Sequence, residues 1–166
     1  MKKSTAVIAD RLLCDNHDIG EHIKLSLPDV KWKVDQMTGS GIGGDVDIPL
    51  FGLLEAMSCQ IDLRTVDKNN SSLLLKPGIH KLEARWNRQE IDGNGVRVVS
   101  VRAYLNIICT GMSPGTVQRG SALDGNVTAS VLRFRWVEDG EELFLLDPGN
   151  QTIRIDGEDY SDALQI

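Results

Sequence analysis

The sequence predicts a mainly β domain with one short flanking helix and seven or eight strands. Three observations carry that prediction. From Val99 to Cys109 every odd position is apolar and most even positions are polar, the period of a half-buried strand. Asp92-Gly93 and Asn94-Gly95 separate that run from a second alternating one, Leu82, Ala84 and Trp86, and supply the positive φ of a hairpin turn. One leucine cluster alone has helical punctuation, and no heptad or solenoid repeat is present.

Taken in order, Val30, Trp32 and Val34 alternate with Lys31, Lys33 and Asp35, and "SCQIDLRT" alternates again over 58–65. "DKNNSSLLLKPG", 67–78, predicts a helix of two or three turns, with Asn and Ser as caps and Lys76-Pro77-Gly78 as its stop. Residues 80–109 predict one β-hairpin whose second strand spans 96–109. Next, Val127, Ala129 and Val131 put the apolar side on odd positions, whereas Leu132, Phe134 and Trp136 put it on even ones. Such a phase flip predicts a β-bulge. Glu138-Asp139-Gly140-Glu141 turns the chain into "LFLLD", and "QTIRIDGEDY" reads as a last short strand ending in a D-G turn.

The chain of 166 residues fits one domain, 1–166, long enough to bury a core. No apolar run approaches the ~20 residues of a membrane helix. Met1-Lys2-Lys3 has the charge of a signal sequence, but Asp10 and Arg11 interrupt the stretch that follows, so no export signal is expected. Cys14, Cys59 and Cys109 are odd in number and widely spaced, which fits buried free thiols in a reducing cytoplasm better than disulfides or structural zinc. Net charge is −6, and residues 138–166 alone hold nine carboxylates against Arg154. A net acid lacks the Lys/Arg clusters that nucleic-acid binding needs.

Gly39, Gly41 and Gly44 stand as G-x-G-x-x-G, the spacing of a dinucleotide loop. That loop must open a helix whose N–H groups meet a pyrophosphate. Here the chain continues as Asp45-Val46-Asp47-Ile48-Pro49-Leu50, a strand-like alternation with two carboxylates, so the spacing is read as chance. His17 and His22, with Asp15, Asp18 and Glu21, have no pattern that would gather them round a metal. His80 is read as a partly exposed polar residue, and Arg133 and Arg135 as ion-pair partners for 138–142 or contacts to a neighbouring subunit. No hydrolase, metalloprotease or P-loop motif appears. No catalytic residue, metal site or cofactor is assigned.

Long strands leave long sheet edges, which aggregate unless paired or covered. Closing the sheets across subunits in a ring removes them. Gly39, Gly41, Gly43 and Gly44 then let a loop, about 38–57, reach toward a neighbour, with Ile42, Val46, Ile48, Leu50 and Phe51 as apolar anchors. Intrachain core is the alternative for each of them.

This order of features resembles the major tail tube proteins of contractile-tailed bacteriophages and R-type pyocins. The resemblance rests on Leu27-Pro28 before a strand and on the glycine segment 39–44 followed by Val46-Asp47-Ile48 and Glu55-Ala56-Met57. Its most specific part is the run Asp139-Gly140, Glu142, Asp147-Pro148, Asn150, Ile155, Gly157 and Asp159. It implies two packed antiparallel sheets in a β-sandwich or barrel, joined across six subunits into a ring. Rings would stack into a hollow tube inside a contractile sheath, with residues 39–56 docking on the next ring. Leu12 and Leu13 near the start, and Leu164 and Ile166 at the end, are expected as further assembly contacts. The partners implied are the chain itself, sheath, baseplate and tail terminator proteins, and DNA passing through the lumen without specific binding. Six copies would carry about −36 formal charges per ring, which disfavours retention of a polyanion. The place implied is the virion tail or tailocin particle, made in the bacterial cytoplasm. The alternative is a monomeric or dimeric β-barrel that binds a ligand.

Overall fold

The computed structural model describes residues 2–20, 22–69 and 71–166. Met1, read above for its charge, Glu21, weighed as a metal ligand, and Asn70, weighed as a cap, lie outside the described residues, as does the side chain of His22.

Among the described residues the chain forms twelve strands, one short α-helix and two 3-10 turns, Pro148–Asn150 and Asp162–Leu164. These are β1 (Lys3–Cys14), β2 (His17–Asp18), β3 (His22–Ser26), β4 (Trp32–Met37), β5 (Val46–Leu54) and β6 (Met57–Leu63), then α1 (Ser71–Leu75). There follow β7 (His80–Asp92), β8 (Gly95–Ser113), β9 (Gly125–Glu138), β10 (Glu141–Asp147), β11 (Thr152–Ile155) and β12 (Glu158–Asp159). Mainly β with little helix is as the sequence predicts. The helix is shorter than expected: only five residues coil before Lys76-Pro77-Gly78 ends them, and Leu74 alone of its leucines is buried.

One antiparallel sheet of ten strands runs β12-β11-β10-β9-β8-β7-β1-β2. It forks at β9. The first half of β9 pairs with β6, from Gly125↔Leu63 to Val131↔Met57, and the second half pairs with β10. Strand β3 extends the β6 arm. The two predicted layers are thus the arms of one forked sheet. β3 faces β1 and β7 across a cleft of about 390 Å³ lined by Val7, Leu25, Leu27 and Trp86. Strands β4 and β5 form a separate two-stranded sheet.

The core follows from the alternation. Val99, Val101, Ala103, Leu105 and Ile107 point inward from β8, against Leu82 and Ala84 of β7 and Val127, Ala129 and Phe134 of β9. The predicted bulge is present: β8–β9 register passes from Asn106↔Arg133 to Ile107↔Val131, which leaves Leu132 unpaired and exposed. This switch moves Phe134 onto the buried side, where it meets Phe144 edge-to-face at 5.0 Å. Cys14 and Cys59 are buried and Cys109 is half-buried, all three as free thiols.

Candidate assembly surface

Strands β4 and β5 leave the body as a ribbon. Their register runs from Trp32↔Leu54 at the base to Met37↔Val46 at the tip, and neither pairs with any other strand among the described residues. The base is held in several ways. Leu54 is buried in the core, Glu55 donates its N–H to the Lys31 carbonyl at 2.8 Å, and Gly52 is buried under Leu164. A β-carbon at Gly52, whose φ is +106°, would sit 3.5 Å from the Leu164 side chain. Beyond the base the alternation persists but burial does not. Val34, Met37, Val46, Ile48, Leu50 and Leu53 are all exposed, and Phe51 is 64% exposed while touching Trp32 edge-on at 5.5 Å.

An isolated two-stranded ribbon is at best marginally stable in water. One that displays apolar side chains on this scale marks an interaction surface. At its tip Gly39 and Gly41 adopt φ of +134° and +91°, and Ile42, half-buried, donates to the Gly39 carbonyl at 3.3 Å. A β-carbon at Gly39, Gly41, Gly43 or Gly44 would meet nothing within 4 Å. The glycine triplet therefore turns a β-ribbon and opens no helix, which removes the nucleotide reading.

The terminal contacts expected from the sequence divide. Leu12 is 1% exposed and belongs to the protomer's own core, so the expectation of an assembly contact there is corrected. Every other residue of β1 between Lys3 and Arg11 is exposed, which leaves the flanking residues, not Leu12, at the surface. Leu13 is half-buried, Leu164 braces the ribbon, and Ile166 is fully exposed. A second apolar surface, missed in the sequence, lies where β1 meets the β7–β8 hairpin tip: Val7, Ile8, Ile91, Val96 and Val98 are exposed. Its sequence signal was the apolar pair Val96 and Val98 beside the D-G-N-G turn, which falls inside the predicted strand 96–109.

Polar chemistry elsewhere is structural. Arg135 and Arg154 both grip Glu142, at 2.8 and 2.6 Å, and hold its carboxyl down at about 2, Arg154 contributing most. Arg133 reaches Asp147 at 3.6 Å. Arg135 thus finds its partner inside 138–142 as expected, whereas Arg133 pairs with Asp147, outside that segment.

Among the described residues Cys14, Asp15 and His80 form the one cluster with metal-ligand chemistry. His80 is buried, not partly exposed as the sequence suggested, because Asp15 folds back from the β1–β2 turn to meet it. Its Nδ1 lies 2.8 Å from Asp15 Oδ2 and its Nε2 lies 2.7 Å from the Lys76 carbonyl. With Asp15 ionised both partners are acceptors, which favours the imidazolium form, and in that form the ring has no lone pair for a metal. Burial pushes the Cys14 thiol up to about 12 and the Cys59 thiol to about 11, far from nucleophilic.

The sign of the pH effect follows. The Lys76 carbonyl, then Asp15, raise the His80 pKa, so its stabilisation is full below the ordinary ~6.5 and is lost as pH rises through the raised value. Asp15, lowered chiefly by the Lys81 N–H, contributes above its ordinary ~3.8 and loses that as pH falls through its lowered value. The clasp is complete between those two limits. We expect His80→Leu to destabilise by about 1–3 kcal/mol at pH 6 and by clearly less at pH 9. Urea denaturation at the two pH values measures it; an equal loss at both would remove the imidazolium.

The geometry defines a class: a β protein whose unpartnered features among the described residues include strand edges and an apolar ribbon, with the buried His80, Glu90 and Asp147 held in ion pairs. Within that class the chain belongs to the phage tail tube protein FII family, whose model matches residues 12–165. It is a structural subunit of a tail tube and a component of the virion tail. Nothing among curated protein sequences matches it. Among solved structures it is similar to a chain of the cryo-EM structure of the anti-feeding prophage (AFP) baseplate, 6-fold symmetrised. The two are 13% identical, with a TM-score of 0.52 over 81% of this chain and 97% of that one, a likeness of fold.

Proposed function

We propose that the chain acts as one tail tube domain, closes into six-membered rings, and stacks them into the hollow inner tube of a contractile tail. The exposed apolar ribbon β4–β5 carries this reading, since it has no partner strand among the described residues and buries only its base. Family membership and a fold neighbour described as 6-fold symmetrised point the same way. In this reading the ribbon, residues 39–56, docks on the next ring through Ile42, Val46, Ile48, Leu50 and Phe51. The hairpin-tip surface around Ile91, Val96 and Val98 supplies apolar area of the same kind. Sheath, baseplate and tail terminator proteins are the further partners, and the particle assembles in the bacterial cytoplasm. Where the particle is a DNA-bearing phage, the net charge of −6 per copy keeps the passing polyanion from being retained.

Negative-stain electron microscopy, paired with mass in solution over a range of concentrations, tests the reading. Sixfold rings or hollow tubes are expected. A protein that stays monomeric in the presence of its baseplate and sheath proteins would end it.

A further inference from the structure

We infer that the outward face of the β3–β6–β9 arm is the wall of the conduit, a hydroxyl and amide surface on which a passing polyanion meets no free cation. This rests on the ring reading and assigns the bore to one side of the protomer.

The two arms of the forked sheet share one core, so their outer faces look away from each other. In β6, Met57, Cys59, Ile61 and Leu63 are buried, which turns Ser58, Gln60 and Asp62 outward. Register carries that face across the neighbouring strands. Ser26 stands opposite Gln60, and Gln60 opposite Thr128. Ser58 stands opposite Ser130, Asp62 opposite Asn126, and Asn126 opposite Ser113. Ser26, Ser58, Gln60, Thr110, Thr128 and Ser130 line a shallow cleft of about 440 Å³ there.

The strands of this face are almost free of cations. Neither β6, nor residues 125–131 of β9, nor residues 107–113 of β8 contain a lysine or arginine. Lys24 of β3 is tied to Asp62 at 3.5 Å. Lys31, on the cleft's lining, stands with Asp29 and Glu55, and Arg64 lies past the end of β6. The polar groups are partly committed to the face itself. Thr110 Oγ1 donates to the Thr128 carbonyl at 3.2 Å, and Gln60 Nε2 donates to Asp62 at 2.8 Å.

The outer face of the other arm has the opposite chemistry. Arg11, Arg85 and Arg102 stand in register on β1, β7 and β8, and Lys81 and Arg133 flank Asn106. Asp18 pairs with Arg11 and Glu83 with Arg85, but the exposed Lys81 and Arg102 have no ion-pair partner among the described residues. Each cation that meets a phosphate adds affinity by releasing counterions. A bore lined by guanidinium groups would therefore hold a polyanion at every ring. The hydroxyl face offers water-like hydrogen bonding and no such anchor, while the net negative charge of the protomer keeps the potential repulsive. Of the two outer faces, only this one suits a wall along which such a polymer slides.

Single added cysteines test the assignment: Ser58→Cys and Thr110→Cys, both at exposed positions of the hydroxyl face, and Arg102→Cys on the other. Each is compared with wild type, whose own thiols are buried or half-buried, for reaction with N-ethylmaleimide and with a maleimide coupled to serum albumin. As free protomers, checked for native melting, all three should react with both reagents. In long tubes Ser58→Cys and Thr110→Cys should keep the small reagent and lose the albumin conjugate, whereas Arg102→Cys should keep both. Hydroxyl-face cysteines that still take albumin in tubes overturn the wall and leave the ring reading intact. So does protection from both reagents, which would make that face a buried contact. Failure of both hydroxyl-face variants to assemble from native protomers overturns it as well, because a side chain lining the bore touches no neighbour. Wild-type protein that forms no rings or tubes removes the ring reading and the wall together.

Discussion

Gly115→Ala is expected to lower stability by roughly 3 kcal/mol or more, because the new methyl group has nowhere to go. Gly115 lies in the loop joining β8 to β9, with φ of +96°. A β-carbon there would fall 1.7 Å from the Leu123 carbonyl oxygen and 2.7 Å from its carbon. These are backbone atoms, so no side-chain rotation relieves the overlap. That oxygen is also fixed by the Thr116 N–H at 3.0 Å, which closes the loop at its neck. An L residue at positive φ adds strain of about 1–2 kcal/mol before any collision. The same exchange at Gly43 supplies the contrast: its φ is not positive and nothing lies within 4 Å, so Gly43→Ala should change stability by no more than about 0.5 kcal/mol. Urea midpoints of the two variants decide the matter. Equal midpoints would mean the β8–β9 loop relaxes freely and contributes little to holding those strands together.

What the sequence disclosed depended on where each side chain's partner lies. The hairpin 80–109 was legible because alternation and burial coincide in β7 and β8 and the turn dipeptides are local. The bulge at Leu132 was legible because the phase of the apolar residues flips there. β1 was not legible: from Lys3 to Arg11 it is exposed on both faces, so no buried side imposes a period. It is a strand because β7 pairs with it, through a register that shifts twice between Ser4 and Ala9. His80 was misread for a similar reason, since its carboxylate partner is 65 residues away in sequence. The ribbon is the converse case. Val46, Ile48 and Leu50 alternate as a buried strand should, and were read as anchors for a neighbour, yet within the protomer they remain exposed. Alternation without burial is the signature of a strand whose other half of the core lies on another molecule.

That signature yields the second large effect. Changing Val46, Ile48 and Leu50 together to threonine should leave the protomer intact and remove its assembly. Threonine is β-branched and suits a strand, so β5 should persist. All three side chains are exposed and none belongs to the core cluster, so the melting temperature should move little. At an interface the account differs. Fully burying a Val, Leu or Ile is worth at least about 1.5 kcal/mol, so losing three removes roughly 4 kcal/mol per contact, about a thousandfold in affinity. A stacked tube repeats that contact at every subunit, so stacking should fail even where isolated rings still form. Sedimentation, with electron microscopy to separate single rings from tubes, reads the difference. Tubes at wild-type concentrations would show that the ribbon is not the stacking contact. A protomer that loses several kcal/mol of stability would show instead that the ribbon packs on its own chain.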